Sequence, residues 1–552
     1  MSIINQFRKL MTLDADMNTA DIERRFEQIA KMLFEGFAIQ KDKTKYLFKE
    51  IEFYFYNKNH RDIITHPRVS KPLCWYVNDF GGIDLNFSSS IERTNRLDGK
   101  GKNSKKYMLD DNAYFGGILI RQLIEIENGV VLGGPWACAD LFRCSDATSI
   151  DKGLPILVEH DNGAVGYIRK PRINLLSSKQ TIEGKVDYIL EEYHEHPRRE
   201  GLYKDFSLFI SKRYSFVRCN TLMHDEDTNV VFLSPWLKDK KEGHPEFYKR
   251  LSNLLIDIGI EVKELKFTND YWARDYMPIQ LGEKEFLKYH YYPDYLVKSK
   301  KKKDIETITD PTKVLRGMGI NCRSTKLIID GGNMVACGPY IVMTDKVFTE
   351  NGYNKGDSEF RMLLESELGH PVIIIPWTMH GDFDAEDTDK YGHSDGFIKW
   401  CGSNHILMGN HGDSYPEEAA TIRRILESYG FMVTEMRFNN KVASPCVELN
   451  WAYINFLQVG KSIIMPAFQI EEDDIALQFI QESFPGCNIY QIEMTKIAKE
   501  GGALHCISWN VFLPKSGVDN ANTSCEIPLF LRQNQLSQGV NGEQDEYKSA
   551  NI

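Results

Sequence analysis

At 552 residues, with 42% hydrophobic and 26% charged side chains, the chain has the composition of a soluble globular protein. It exceeds what one hydrophobic core supports, so two or more domains are expected. A net charge of −11 at pH 7 argues against nucleic-acid binding through a global positive field and favours the approach of small cations. Eleven cysteines without a Cys-x-x-Cys spacing read as reduced thiols of a cytoplasmic protein, not as a disulfide framework or a zinc site. Met1–Lys9 lacks the apolar core of a signal peptide, and no apolar run reaches the ~18 residues of a membrane span.

In chain order, Ile22, Phe26, Ile29, Leu33 and Phe37 recur at helical spacing, predicting an amphipathic helix over 18–37 whose apolar stripe packs on its own domain. Strand-like runs follow at Ile51–Tyr56, Cys74–Val77, Ile83–Phe87, Gly117–Ile126, Ile156–Val158, Val165–Ile168 and Phe206–Val217, with a polar loop over 88–106. Residues 1–221 therefore read as a separate, strand-rich α+β accessory domain. From Val230 onward strands alternate with helices: Val230–Leu233, helix Glu246–Ile258 and Glu261–Leu265 first, then Val372–Ile375. His405–Met408 precedes a helix over Glu417–Tyr429, and Lys461–Pro466 precedes a helix over Asp473–Phe484 and the strand Asn488–Ile492. Such units bury a sheet beneath outer helices, so residues 222–515 read as an α/β catalytic domain. The Lys298–Lys303 run reads as a solvated loop, and 516–552 as a polar tail disordered in its last residues.

Four segments of the second domain carry chemistry: Asn269-Asp270-Tyr271-Trp272-Ala273-Arg274-Asp275, Asp330-Gly331-Gly332-Asn333, Gly392-His393-Ser394-Asp395-Gly396 and Gly501-Gly502-Ala503-Leu504-His505-Cys506. Carboxylates grip a flat cation such as guanidinium through paired, charge-assisted hydrogen bonds. A thiolate attacks carbon, and a histidine moves protons near neutral pH. Gly501 and Gly502 let the chain turn tightly, so that the Cys506 thiol sits in a pocket and ionises beside a neighbour or under a bound cation. His393 and Asp395, two apart, face the same side if they lie on a strand. That pair would also serve as half of a metal site, but no further histidine–carboxylate cluster with ligand spacing accompanies it. Asp330 to Asn333 fits either a tight turn or a pocket wall, and Asp270 either a substrate contact or a turn cap.

Together with Tyr453-Ile454-Asn455-Phe456 and the run Ile463-Ile464-Met465-Pro466, these segments resemble, in order, those of the agmatine deiminases and bacterial (Porphyromonas-type) peptidylarginine deiminases. The resemblance covers roughly residues 228–515. It implies five strand–helix units arranged as a five-bladed α/β propeller, the pentein fold, around the active site. It further implies Cys506 as nucleophile, His393 as proton donor and acceptor, and Asp275 and Asp395 as the guanidinium-holding carboxylates. Trp272, Asp270, Asp330, Asn333 and Asn455 would line the substrate pocket, with neither metal nor cofactor. Met277-Pro278 stands where the family usually has glycine before the proline, which bears on the pocket mouth more than on the chemistry. In the first domain, Glu52, Tyr54, His66, Asn86 and Arg121 resemble the pocket positions of alkyladenine (3-methyladenine) DNA glycosylases. Its only basic stretch is Lys100–Lys106, so an accessory role is the plainer reading.

The expected activity is hydrolysis of a guanidino compound, agmatine-like or arginine-derived, to a ureido product and ammonia through a covalent cysteine intermediate. An amidinotransferase would share that intermediate and a peptidylarginine deiminase that pocket. A binding protein on a degenerate deiminase fold is the third alternative, and the complete set of Cys506, His393, Asp275 and Asp395 weighs against it.

Overall fold

The structure is a computed structural model that describes residues 2–78, 81–92, 111–143, 154–173, 175–176, 181–192, 199–298, 305–380, 390–438 and 447–514. Most of the predicted loop at 88–106, nearly all of the lysine run at 298–303 and the tail from 515 lie outside these residues.

The amphipathic helix forms over Thr19–Gly36, with the Asn18 side chain accepting the Asp21 N–H at 3.0 Å as its N-cap. Its stripe of Ile22, Phe26, Ile29 and Leu33 is fully buried. Phe26 stacks on Phe53 at 4.5 Å, which docks the helix on the long strand Thr44–Asn57. That strand is central to a ten-stranded sheet lying between Phe37 and Arg218, and all its pairings are antiparallel. The strand expected at Phe206–Val217 is instead a helix, Arg199–Ile210, followed by the strand Ser215–Arg218. Leu202, Phe206 and Phe209 are buried while Leu208 is exposed, a period of 3.6 rather than 2.

Five separate three-stranded sheets follow. Four of them repeat one plan, an antiparallel hairpin and then a third strand parallel to the second: Ile279–Gly282 with Glu285–His290 and Cys322–Ile328, Val335–Cys337 with Tyr340–Thr344 and Val372–Ile375, Ile398–Trp400 with His405–Met408 and Met432–Glu435, and Leu457–Val459 with Ser462–Ala467 and Asn488–Glu493. The fifth joins the two ends of the region. Val230–Leu233 runs parallel to Glu261–Glu264 and antiparallel to Ser508–Val511. Helices such as Pro245–Asp257, Ser358–Leu368, Pro416–Ser428 and Glu472–Ser483 make the crossovers that parallel pairing requires.

This plan positions the chemistry. The turn that leads into the first strand of each hairpin carries a motif: Asp275 before Ile279, Asp330 before Val335, His393 and Asp395 before Ile398, Asn455 before Leu457 and Cys506 before Ser508. Five equivalent entry turns thus bring residues more than 200 positions apart to one place. Among the described residues no helix is long and apolar enough to cross a membrane.

Candidate active site

Cys506 is buried at the end of a turn that starts with Gly501 at φ +96°. A Cβ on Gly501 would meet the Tyr391 hydroxyl at 2.8 Å, and the Trp272 ring lies directly on Gly502, so both positions need glycine. The Cys506 N–H donates to Asn455 Oδ1 at 3.3 Å, and its carbonyl accepts the Arg274 N–H at 3.0 Å. Its Sγ lies 3.9 Å from Asp395 Oδ2. Burial, then the charges of Asp395 and Asp275, push the thiol well above its usual range.

His393 sits between two carboxylates, with Nε2 at 3.1 Å from Asp330 Oδ2 and Nδ1 at 3.5 Å from Asp275 Oδ1. Burial opposes its charge, but Asp275, Asp330 and Asp395 outweigh it and raise the imidazole to about 10. Asp275 is pushed up to about 7 by burial and by the Asp330 and Asp395 charges, although His393 pulls the other way. Asp330 goes down despite burial, because Lys346 lies 3.5 Å away and His393 donates to it. Lys346 is itself buried among Asp294, Asp330 and Glu350. Gly332 allows the close approach: its N–H donates to Asp275 Oδ1 at 3.2 Å.

His393 and Asp395 do not lie on a strand. They sit at the start of the 3₁₀ turn Ser394–Gly396, so the entry turn and not a two-residue pleat brings them together. Asp395 is bound from behind by His505, whose Nδ1 lies 2.6 Å from Oδ2. Burial would raise Asp395, yet the His505 hydrogen bond and the charges of His393 and Lys399 hold it below the usual carboxylate range. Sequence reasoning missed His505, Asp225, Lys399 and Lys346. Only His505 had a local signal, its place beside Cys506.

The remaining predicted positions divide. Asn455 bridges the site, accepting from Cys506 and donating Nδ2 to the Asp395 carbonyl at 3.3 Å. Asn333 Oδ1 accepts the Thr344 N–H at 2.8 Å, which ties its turn to the neighbouring strand. Asp270 caps its own turn by accepting the Trp272 N–H at 3.0 Å, and burial pushes it up to about 8. In the ten-stranded sheet region, buried Glu52 accepts from Tyr54 Oη at 2.8 Å, Arg121 Nη1 at 3.3 Å and the Ile173 N–H at 2.8 Å. Asn86 accepts instead from Arg68, at 3.3 Å; the His66 carbonyl accepts from Arg68 Nε at 3.2 Å.

A thiol, a protonated imidazole and three carboxylates thus meet in a buried space. Carboxylates so placed are costly without a counter-cation, and a planar cation with several N–H donors would satisfy them. Among the described residues no group of three or more His, Cys, Asp or Glu side chains could hold a metal ion.

The family model of Porphyromonas-type peptidyl-arginine deiminases matches residues 219–511. An agmatine deiminase of Ectopseudomonas mendocina is 25% identical over 217 residues, which cover 34% of this chain and 57% of that one. One from Stutzerimonas stutzeri is 24% identical over 215 residues, again 34% of this chain and 57% of that one. The chain thus spans about half the length of the curated relatives it matches. A solved C. jejuni agmatine deiminase covers 53% of this chain and 96% of its own at 18% identity and a TM-score of 0.43. With more than half of its length matched by that family's model, the chain belongs to the Porphyromonas-type peptidyl-arginine deiminase family.

Proposed function

We propose that the protein is a hydrolase that deiminates a guanidino substrate to a ureido product and ammonia, with Cys506 as nucleophile and no cofactor. The observation that carries this is the convergence of the buried Cys506 thiol with Asp275, Asp330, Asp395 and His393. The five sheets are taken as blades of a five-bladed propeller. Pairing of the last strand, Ser508–Val511, with Val230–Leu233 supports that closure. Residues 1–221 are taken as an accessory domain. The eight described cysteines are free thiols, which supports a reducing, cytoplasmic setting.

The chemistry follows from charge. Asp275 and Asp395 take the guanidinium nitrogens, and the arriving cation lowers the thiol's pKa. The thiol proton passes to solvent as the cation binds, and the thiolate sulfur then bonds to the guanidinium carbon, opening its C=N bond to a tetrahedral adduct. His393, protonated between Asp275 and Asp330, gives its proton to the departing nitrogen, and ammonia leaves. The neutral imidazole then takes a proton from water, whose oxygen attacks the amidino carbon. The C–S bond then breaks as the added hydroxyl gives its remaining proton to the sulfur, leaving a ureido carbonyl and the Cys506 thiol.

Agmatine, free arginine and an arginine peptide, each assayed for ureido product and for transfer to an added amine, test the reading. At least one substrate is expected to give stoichiometric ureido product and ammonia. C506S is expected to abolish turnover and labelling by a haloacetamidine while keeping the melting profile. Turnover by C506S, or transfer in place of hydrolysis, would overturn it.

A further inference from the structure

Asp395 carries a contact that the reaction above does not use, from His505. His505 is 4% exposed. Its Nδ1 lies 2.6 Å from Asp395 Oδ2, the same oxygen that lies 3.9 Å from the Cys506 sulfur. Its Nε2 lies 3.7 Å from Asp225 Oδ2, beyond hydrogen-bond length. Asp225 is already engaged, by Lys399 Nζ at 2.9 Å and by Asn510 Nδ2 at 2.9 Å. Arg274 lies close by, its Nη2 on Asn510 Oδ1 and its Nε 3.5 Å from the His505 backbone carbonyl. These groups come from five places: the turn Asp225–Asp227, the helix Ala273–Tyr276, the strands Ile398–Trp400 and Ser508–Val511, and the turn Ser394–Gly396.

We propose that His505 is a positioning residue. As a neutral imidazole with its proton on Nδ1, it donates to Asp395 Oδ2, holding that carboxylate ionised and aimed at the guanidinium beside Cys506. The Asp225–Lys399 pair behind the ring keeps it in that state.

The tautomer follows from the distances. A neutral imidazole carries one N–H, and the 2.6 Å contact is to a carboxylate oxygen, which can only accept. The charge state follows from the surroundings. Asp225 alone would draw a second proton onto Nε2, but Lys399 and Asn510 occupy its oxygens. Burial together with the Arg274 and Lys399 charges lowers the imidazole to about 4. A neutral donor suits this place better than a cationic one. An imidazolium would cancel the Asp395 charge in a low-dielectric site and so compete with the substrate cation, whereas a neutral N–H fixes the oxygen and leaves its charge available. The arrangement is the carboxylate counterpart of a histidine held in one tautomer by what lies behind it.

The inference rests on the deiminase reading for its kinetic arm only. Two full-length variants separate a positioning role from a packing role. H505N keeps a donor at the δ position, facing Asp395, but loses volume. H505Q keeps more of the volume and moves the donor to the ε position, facing Asp225. H505N is expected to stay within about threefold of the native KM for the guanidino substrate. H505Q is expected to raise it at least about tenfold with a smaller change in kcat, the size of one lost charge-assisted hydrogen bond. In the unliganded proteins, the Asp395 carboxyl is followed by ¹³C NMR of labelled aspartate and assigned with D395N. It is expected to titrate at higher pH in H505Q than in H505N. A reversed order of the two variants in either measurement, or no difference between them, would overturn the proposal. A native enzyme that turns over no guanidino compound would overturn the deiminase reading instead, and the titration would still decide the role of His505.

Discussion

Replacing Gly332 by alanine would place a Cβ 2.6 Å from His393 Nδ1 and 2.8 Å from Asp275 Oδ1. Ordinary carbon contacts begin near 3.4 Å, so one of the two groups has to retreat by most of an ångström. Neither can do so freely. His393 is held by Asp330 at 3.1 Å on its other nitrogen, and the Tyr289 hydroxyl anchors the Asp275 helix, lying 2.9 Å from the Asp275 carbonyl and 2.7 Å from that of its C-cap Met277. Such overpacking costs about 1–3 kcal/mol of stability. A displacement near 1 Å in a reacting constellation costs on the order of 100-fold in rate. G332A is therefore expected to fold with a lowered Tm and to lose about 100-fold in kcat/KM, mostly in kcat. The position has no left-handed φ, so backbone strain does not contribute. Turnover by G332A within about threefold of the native enzyme would show that His393 and Asp275 do not need this spacing.

Four further outcomes follow from this geometry and the proposed reaction. D275N and D395N each keep the size but remove a guanidinium-pairing charge, about 1.5–3 kcal/mol per lost bond; kcat/KM should fall at least about tenfold in each, and a residue whose variant stays within about threefold lies outside the substrate contact. Asp275 is raised to about 7 and must be ionised, whereas His393 is raised to about 10 and must be protonated, so kcat/KM should rise through about pH 7 and fall through about pH 10. Because the folded pKa of His393 lies above its unfolded value, its stabilising contribution is full below about pH 6.5 and lost as pH rises through about 10, so the Tm should fall across that window and do so less in H393Q. A protein starting at residue 222 should retain deiminase activity, since every site residue lies beyond it; the surface to watch is where strand Tyr167–Lys170 packs on helix Ser358–Leu368 and Gly166 meets Pro339. Soluble yield and turnover decide it, and a folded but inactive product would refute the modular reading.

What was legible in the sequence was whatever is local. The Gly501-Gly502 turn and the Asp-Gly-Gly run each announce a tight turn or a close approach within a few residues, whereas the two-residue spacing of His393 and Asp395 suggests a strand that the structure replaces with a 3₁₀ turn. The alternation of strands and helices after Val230 announced α/β units. Groups that meet only across sheets left no such trace. Asp225 and Asn510 are partners 285 positions apart, and Lys346 looks like an ordinary helix lysine beside Val347 and Phe348 until Asp294 and Asp330 fold over it. The strand misread at Phe206–Val217 has another cause. Phe206, Leu208 and Ile210 alternate as a strand would, while Leu202, Phe206 and Phe209 fit a helix, and tertiary burial chose the second pattern.

On the proposed deiminase reaction, the electrostatics also bear on how the site would distinguish substrate from product. With no cation between Asp275 and Asp395, burial and the two carboxylates hold Cys506 as a neutral thiol, the form least prone to oxidation and unable to attack. In that reaction a guanidinium would change both conditions at once, pairing with the carboxylates and stabilising the thiolate. A urea or amide of the same shape carries no charge and does neither, so the nucleophile is assembled only around a cationic carbon. The ureido product is such a neutral group. When it forms, the carboxylates lose their partner, the thiol regains its proton and the interaction that held the substrate disappears. Activation and release are then two consequences of one arrangement, carboxylates buried beside a thiol with the substrate as their counter-ion.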